Sequence, residues 1–405
     1  MSRPSLIDRL GRAHAERAAA GLRRRVRTID RAHGVRITID GRELISFASN
    51  DYLGLAQEPR LMRGLQQAAE EWGVGATAAH LLGGHRGPHQ QLEAMMADWL
   101  GYPRALLFST GMMANLGVLS AVLGRNDLCV QDRLNHASLL DGARLSGATL
   151  LRYPHADVAA AARQLAARPE AAALLASDGV FSMDGDVAPL AELATLCTQQ
   201  QAMLMVDDAH GLGVLGAQGR GAVAAAGLGV DDVPLLMVTL GKAVGTFGAV
   251  VLGSTAIIDA LVQFARPWIY TTAMPPALAA ASCAAVDIVR SDEARRQRLH
   301  ALIARFRAGA VQRGLPLLPS ESAIQPLLIG AAHRATRVSA TLEQAGFHVP
   351  AIRAPTVPEG AARLRVTLSA AHEFAQVDAL LAAIDAGLAT VSASGSETDT
   401  RDVPA

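Results

Sequence analysis

The segments MLMVDDAHG (residues 203–211) and LLMVTLGK (residues 235–242) decide the fold. Each begins with four apolar residues and continues directly into small, polar or ionisable ones. The segments ALLFSTG (105–111) and AALLASDG (172–179) show the same pattern earlier in the chain. Continuous apolar strands separated by Ala-rich helical stretches are typical of a parallel sheet that helices cover on both faces. We therefore predict an α/β fold with a large, mostly parallel sheet.

The polar residues that follow these strands are expected at one edge of the sheet. In open parallel sheets, ligands bind in the crevice beyond the carboxyl ends of the strands. The segments expected there are STG at 109–111, SDGVFSMDGD at 177–186, DDAHG at 207–211 and TLGK at 239–242. Four strand ends therefore predict one site.

The composition argues against several classes of protein. The 405 residues include 37 Lys plus Arg and 37 Asp plus Glu, so the net charge attracts neither nucleic acid nor an anionic membrane. Cys129, Cys197 and Cys283 lack metal-ligand spacing and fit reduced thiols. The N-terminus lacks the apolar core of a signal peptide. We therefore expect a cytoplasmic protein without a metal site.

One uncharged stretch, residues 105–124, is long enough to cross a bilayer. The polar residues at 109–111 and Asn115 break it into a strand, a turn and a helix, so we predict no membrane span.

The chain divides by pattern into four parts. Residues 5–27 alternate apolar residues with many arginines, which predicts an amphipathic helix with a basic face. Pro275 and Pro276 precede a long helical stretch that runs to about residue 313, and 363–368 reads as a strand. The predicted parts are a helical N-terminal arm at 1–49, a large domain at 50–285, a smaller C-terminal domain at 286–391 and a disordered tail at 392–405.

Lys242 follows an apolar strand and lies among glycines. Apolar walls weaken the preference of an amine for its charged form, so this lysine could form a Schiff base and then act as a base. A surface lysine at the start of a helix is the competing interpretation.

Asp207 ends another apolar strand, where a carboxylate needs a positive partner. A protonated pyridine nitrogen would be such a partner, and His210 could reach the face or the phenolic oxygen of the same ring. A helix-capping Asp with a hydrogen-bonded His remains an equally good interpretation.

Three further features complete the pattern. A Gly turn before a helix directs the backbone N–H groups of Gly111 and Met112 at an anion such as phosphate. His136 could stack on an aromatic ring and Ser182 could bond a ring oxygen, although structural roles explain each residue alone. Taken together, a Schiff-base lysine, a strand-end Asp, a stacking His and a phosphate turn meet the requirements of one cofactor. Dinucleotide, Walker and metal motifs are absent from the sequence.

These residues stand in motifs that resemble the α-oxoamine synthases, a family of fold-type-I pyridoxal 5′-phosphate (PLP) enzymes. The motifs are SNDYLGL at 49–55, HAS at 136–138, FSMDGD at 181–186, VDDAHG at 206–211 and TLGK at 239–242. The resemblance runs nearly end to end. It implies a large PLP domain of mostly parallel sheet, a smaller α+β domain, and a homodimer with the site at the subunit interface.

Other segments, including LRRR at 22–25 and SAIQP at 322–326, resemble the members that serve biotin biosynthesis. That resemblance implies a decarboxylative condensation of L-alanine with a pimeloyl thioester carried by acyl carrier protein or CoA. Three alternatives remain open: a glycine C-acetyltransferase, an aminotransferase and a non-catalytic subunit of this fold.

The resemblance also implies a role for each matching residue. Lys242 would bond PLP, Asp207 would pair with the pyridinium nitrogen, His136 would stack on the ring, and Ser182 and His210 would contact the ring oxygen. Gly111, Met112 and Thr239 would hold the phosphate, with Thr271 and Thr272 reaching that of the partner subunit. His136, Arg23 and Thr356 would meet substrate, and Arg353 would bind a substrate carboxylate. The sequence departs from the family pattern at Asp178, Thr110 and Ala354, where Glu, Ser and Pro are more usual.

Overall fold

The computed structural model describes residues 3–20 and 22–395. The strands are β1 Arg31–His33, β2 Arg36–Ile39, β3 Arg42–Ser46, β4 Arg104–Phe108, β5 Leu128–Asp132, β6 Thr149–Tyr153, β7 Ala173–Asp178, β8 Met203–Asp207, β9 Leu235–Thr239, β10 Ala249–Gly253, β11 Ile324–Gly330, β12 Phe347–His348, β13 Ala351–Ile352 and β14 Ala362–Thr367. The helices are α1 Leu6–Ala19, α2 Pro59–Trp72, α3 Gly87–Leu100, α4 Gly111–Val122, α5 Ala137–Ser146, α6 Val158–Leu165, α7 Leu190–Gln199, α8 Ala222–Ala225, α9 Thr255–Phe264, α10 Arg266–Ile269, α11 Pro276–Ser291, α12 Glu293–Gln312, α13 Ala332–Gln344 and α14 Phe374–Gly395.

A seven-stranded sheet with the order β4-β10-β9-β8-β7-β5-β6 forms the centre of the protein. The pairs from β9 through β6 are parallel, and only β10 runs antiparallel to its neighbours. Successive residues of β8, Leu204 and Met205, are buried in two separate apolar clusters, so both faces of the sheet are covered. Helices α4, α5 and α9 contribute to one cluster, and α3, α6, α7 and α11 to the other. The predicted α/β architecture is confirmed.

Two smaller sheets complete the fold. Strands β11, β14 and β13 form an antiparallel sheet in the C-terminal part of the chain. A second sheet joins β1, β2 and β3 to β12, where Phe347 pairs with Ile45. The N-terminal strands therefore pack with the C-terminal part rather than standing apart from it.

The prediction of a helical arm at 1–49 was wrong beyond α1. Residues 31–46 form three strands, because the pair Asp40–Gly41 closes a two-residue hairpin turn in which both residues have positive φ, 52° and 73°. Such a turn matches the twist of the flanking strands, and an Asp-Gly pair is a strong hairpin signal. Only α1 is helical, and none of its residues is buried.

The long helical stretch after Pro276 is two helices. Helix α11 ends at Ser291 and α12 begins at Glu293, because the Asp292 side chain accepts a hydrogen bond from the Arg295 backbone N–H at 3.0 Å and caps the second helix. The chain can therefore change direction between the two domains.

Two apolar segments are long enough to raise the question of a membrane. Residues 105–124 contain most of β4, a turn and the whole of α4, with Thr110 as helix cap, as predicted. The window Phe374–Val391 of α14 passes the length and hydropathy test, but its Leu380, Leu381 and Ile384 are buried in the core. Helix α14 packs on α12 and α13 as a core helix. Helix α14 continues to Gly395, and residues 396–405 of the predicted tail lie outside the described residues.

Candidate active site

A cavity lies beyond the carboxyl ends of β7, β8 and β9, where the sequence predicted a site. Eight predicted residues line it: Gly111, Met112, His136, Ser182, Asp207, His210, Thr239 and Lys242. Asn115, Ser138 and Asp178 line it as well, and their roles were not predicted. Neighbouring strands bring these residues together, since Asp178 of β7 stands directly beside Asp207 of β8.

Lys242 is the only lysine in the chain. Its Nζ lies 2.7 Å from Nε2 of His210, and burial lowers its pKa to about 8, against the opposing effect of Asp207 and Asp178. An ordinary lysine amine is almost fully charged at neutral pH, whereas this one is partly neutral and can act as a nucleophile.

His210 connects Lys242 to a hydrogen-bonded chain. Burial, and then the charge of Lys242, holds the pKa of His210 well below its usual value, so its ring is neutral. Its Nδ1 lies 2.6 Å from the hydroxyl of Tyr52, which donates to Oδ1 of Asn50 at 3.2 Å. When Lys242 donates to Nε2, the ring proton must therefore be on Nδ1, directed at the tyrosine oxygen.

Arg365 closes this chain on the other side. Both of its terminal nitrogens lie 3.3 Å from Oδ1 of Asn50, and its Nε donates to the backbone carbonyl of Ser182 at 2.6 Å. Arg365 is 5% exposed, and its charge lowers the pKa of both His210 and Lys242. Its guanidinium is thus a buried positive charge close to the lysine.

Asp207 carries a buried carboxylate with neutral partners. It accepts from Nδ2 of Asn115 at 2.7 Å and from the backbone N–H of Ala209 at 3.1 Å, and it forms no ion pair within the described part of the chain. Burial, followed by the charge of Asp207, raises the pKa of Asp178 well above its usual range. A buried carboxylate with only neutral partners, as at Asp207, favours a bound cation, and the protonated nitrogen of a pyridine ring fits that requirement.

His136 stands at the mouth of the cavity. Its Nδ1 lies 2.6 Å from Oγ of Ser138, and its backbone N–H donates to the Asp178 carboxylate at 3.1 Å. The Asp178 oxygens therefore reach this amide although Glu is more usual in the family.

The start of α4 provides free amide donors. The hydroxyl of Thr110 accepts from the Met113 N–H at 3.1 Å, and its carbonyl accepts from Ala114 at 3.0 Å. The N–H groups of Gly111 and Met112 have no acceptor among the described residues. Unpaired amides at a helix start bind anions. The hydroxyl of Thr110 thus performs the capping role expected of Ser.

The other predicted residues lie outside this cavity. Thr356 lines a second cavity, which shares His136 and Ser182 with the first. Arg353 donates to the backbone carbonyl of Arg23 at 3.2 Å, and neither residue lines the two cavities. Thr271 lines a separate cavity beside α10, and Thr272 pairs with Ala79.

The comparisons with known proteins agree with this geometry. Residues 42–384 match the family described as aminotransferase class I and II. An 8-amino-7-oxononanoate synthase of Stenotrophomonas maltophilia (strain R551-3) is 58% identical over 385 residues, which are 95% of this chain and 94% of that protein.

Solved structures agree as well. Serine palmitoyltransferase from S. paucimobilis, with a bound PLP-myriocin adduct, superposes with a TM-score of 0.91 at 27% identity over 96% of this chain and 100% of that chain. An 8-amino-7-oxononanoate synthase from Francisella tularensis has a TM-score of 0.76 at 32% identity over 86% of this chain and 98% of that chain. The chain therefore belongs to the class I and II aminotransferase family and, within it, to the 8-amino-7-oxononanoate synthases.

Proposed function

We propose that this protein condenses L-alanine with a pimeloyl thioester, with loss of carbon dioxide, to form 8-amino-7-oxononanoate in biotin biosynthesis. The enzyme is a PLP-dependent acyltransferase. The observation that carries the proposal is the single lysine of the chain, Lys242, which has a lowered pKa and is hydrogen-bonded to His210. The same cavity holds the Asp207 carboxylate, which has no ion-pair partner among the described residues, and the backbone amides at the start of α4. The acyl carrier is acyl carrier protein or CoA.

The cavity residues fit PLP, which supplies an aldehyde that bonds amines and a ring that accepts the electron pair left at Cα of the amino acid. Lys242 Nζ would bond the aldehyde carbon, Asp207 would hold the ring nitrogen protonated, and His136 would cover one ring face. Ser182 and His210 would bond the ring oxygen. The amides of Gly111 and Met112, with Thr239, would hold the phosphate.

Lys242 would also move the proton in the reaction. As a free amine, Lys242 would remove the proton from Cα of the bound alanine. A pKa of about 8 places this base close to the working pH, and His210 at 2.7 Å orients its Nζ.

Arg365 is a candidate partner for the carboxylate of alanine, although its side chain is not among those that line the two cavities. It is buried, it lies near Lys242, and Asn50 beside it offers an amide for a second hydrogen bond. Guanidinium groups bind carboxylates in a planar, two-point geometry. We therefore assign to Arg365 the role that the sequence assigned to Arg353.

The second cavity would take the acyl donor. Arg24, Arg133 and Arg152 line it together with Thr356, and none of the three arginines forms an ion pair with a carboxylate of the described residues. The remaining charges on its wall neutralise each other, because Arg363 pairs with Asp184. A cavity with surplus positive charge suits the terminal carboxylate of a pimeloyl group.

A homodimer and a cytoplasmic location complete the proposal. Tyr270 and Phe264 are 71% and 63% exposed beside Thr271, which is the kind of apolar surface that a partner subunit covers. In a dimer, Thr271 and Thr272 would contribute to the phosphate site of the partner. Sedimentation equilibrium tests the dimer, and a monomer with full activity would contradict it.

The test of the function is a matrix of amino acids and acyl donors on PLP-loaded protein. L-alanine and glycine are each combined with pimeloyl and acetyl thioesters while thiol and carbon dioxide release are followed. We expect product only from L-alanine with the pimeloyl thioester. Turnover of glycine with acetyl-CoA alone would assign the protein to glycine C-acetyltransferase instead, and amino-group transfer to a 2-oxo acid without carbon dioxide release would make it an aminotransferase.

A further inference from the structure

His155 lies between two carboxylates that belong to different segments of the active site. Its Nδ1 is 3.1 Å and 3.2 Å from the two oxygens of Asp132, and its Nε2 is 2.7 Å from Oδ2 of Asp186. A carboxylate only accepts hydrogen bonds, so both ring nitrogens must donate. The ring of His155 is therefore an imidazolium that links two anions.

Asp132 sets the shape of the turn that carries His136. It ends β5, is fully buried, and accepts from the backbone N–H groups of Leu134 at 2.7 Å and Ala156 at 2.8 Å. The chain then passes directly into His136 at the mouth of the Lys242 cavity. Asp132 thus connects His155 to the residue that would stack on the cofactor.

Asp186 ends the segment 180–186, which carries Ser182. The carbonyl of Asp186 accepts from the Phe181 N–H at 3.0 Å, and the Phe181 ring stands edge-on to His155 with ring centroids 4.4 Å apart. Oδ1 of Asp186 is buried without a partner, so Oδ2 makes the only side-chain hydrogen bond of Asp186 within the described residues. Loss of His155 would leave this carboxylate with no donor.

We propose that His155 is a positioning residue, which as an imidazolium holds the His136 turn and the Ser182 segment at a fixed separation around the cofactor ring. The inference rests on the proposed function for the identity of the bound group. It adds to that proposal a residue that touches neither cofactor nor substrate. The two carboxylates outweigh burial and raise the pKa of His155 to about 10, so the link is intact at neutral pH.

The Ser182 segment has other anchors, which makes a positional effect separable from unfolding. Arg365 bonds the carbonyl of Ser182 and Arg363 pairs with Asp184, and both arginines come from β14. Without His155 the segment should therefore stay folded while its end at Asp186 shifts. We therefore expect weaker PLP binding rather than unfolding.

The test measures PLP binding to the apoprotein and the visible circular dichroism of the bound cofactor in His155→Gln and Asp186→Asn. Each variant removes the charged link and keeps a similar volume. We expect the Kd for PLP to rise about tenfold in both variants, because each loses one charge-assisted hydrogen bond. The visible dichroism of the bound cofactor should change as well. His348→Gln is the matched control, because His348 is a half-buried histidine of β12 that lines neither cavity.

A direct measurement on the natural chain needs no variant. In ¹⁵N-histidine-labelled protein at pH 8, the two ring nitrogens of His155 should both be protonated, and a neutral ring would overturn the proposal. Unchanged PLP affinity and dichroism in both variants, even with lowered thermal stability, would also overturn it. PLP binding does not depend on the acyl donor, so the two proposals can fail separately. If the natural protein gives no product in the substrate matrix but the His155 variants bind PLP tenfold more weakly, the proposed function is rejected and the role of His155 stands.

Discussion

The Lys242 cavity and the arginine-lined cavity beside it are built in different ways. In the first, the ionisable groups follow consecutive strands of one sheet and are buried and hydrogen-bonded, with Lys242 2.7 Å from His210. In the second, Arg24, Arg133 and Arg152 come from distant parts of the chain, lie exposed and have no carboxylate partner among the residues that the structure describes. The two cavities meet at His136 and Ser182.

This difference assigns the chemical step to the Lys242 cavity and the choice of acyl donor to the arginine-lined cavity. A rigid parallel sheet fixes the groups that would act on the cofactor, where small displacements are costly. Exposed arginines at the second cavity can change without disturbing that sheet. Changes in the first cavity should therefore affect the rate with every acyl donor, whereas changes in the second should affect the ranking of donors.

The largest effect is expected from Lys242→Ala. The variant loses both the bond to the cofactor and the base, so turnover should fall by more than about 10⁴-fold, with the fold retained. Thiol release and circular dichroism are the measurements. Turnover within tenfold of the natural chain would place the base elsewhere.

Asp207→Asn should have the next largest effect. The variant leaves the ring nitrogen without its anion, and kcat should fall about a thousandfold, which is the cost of removing one partner of a buried charge pair. Asp208→Asn is the matched control, because Asp208 is equally buried but bonds the backbone of Ala222 rather than the cavity. An equal fall in kcat in the two variants would mean that the loss comes from changing a buried carboxylate and not from losing the contact with the cofactor ring.

Arg365→Gln should raise the KM for L-alanine about a hundredfold, since its buried guanidinium would be the partner of the substrate carboxylate. Arg298→Gln serves as control, because Arg298 also bonds backbone carbonyls but is not among the charges that lower the pKa of Lys242 and His210. The affinity for alanine ethyl ester, which lacks the carboxylate charge, should differ little between the natural protein and the variant. An unchanged KM for L-alanine would return the role to Arg353.

The smallest effect is expected at the arginine-lined cavity. Arg133→Gln should lower kcat/KM for pimeloyl-CoA about tenfold and leave that for its terminal methyl ester unchanged, because only the free acid carries the charge that Arg133 would bind. Arg163→Gln, an exposed arginine of α6 outside both cavities, is the control. Equal losses with acid and ester would point to the phosphates of CoA instead.

The predicted residues at the strand ends share one property. Lys242, Asp207 and the amides of Gly111 each follow an apolar strand directly, so a local pattern places them at the sheet edge. Tyr52 and Arg365 had no such pattern, although Tyr52 stands in the segment 49–55 that resembles the family. They meet His210 and Asn50 across 158 and 315 residues of sequence, and only the folded chain shows that contact.

The errors in the fold have equally local causes. The Asp40–Gly41 turn was available in the sequence but lay in a segment dominated by arginines, and its strands were missed. The break at Asp292 was missed because, within a long stretch of helical pattern, a helix-capping Asp cannot be distinguished from an Asp on the solvent-exposed face of a continuous helix. His155 had no motif at all, since its role depends on two carboxylates 23 and 31 residues away.

Lys242 would carry the cofactor, and because it is the sole lysine of the chain, this role can be tested directly. PLP-loaded protein is reduced with sodium borohydride, digested and examined by mass spectrometry. We predict one phosphopyridoxyl group per chain, on the peptide that contains Lys242, and none in Lys242→Arg. A label on the N-terminal amine with Lys242 unmodified, or no stable label at all, would contradict the account.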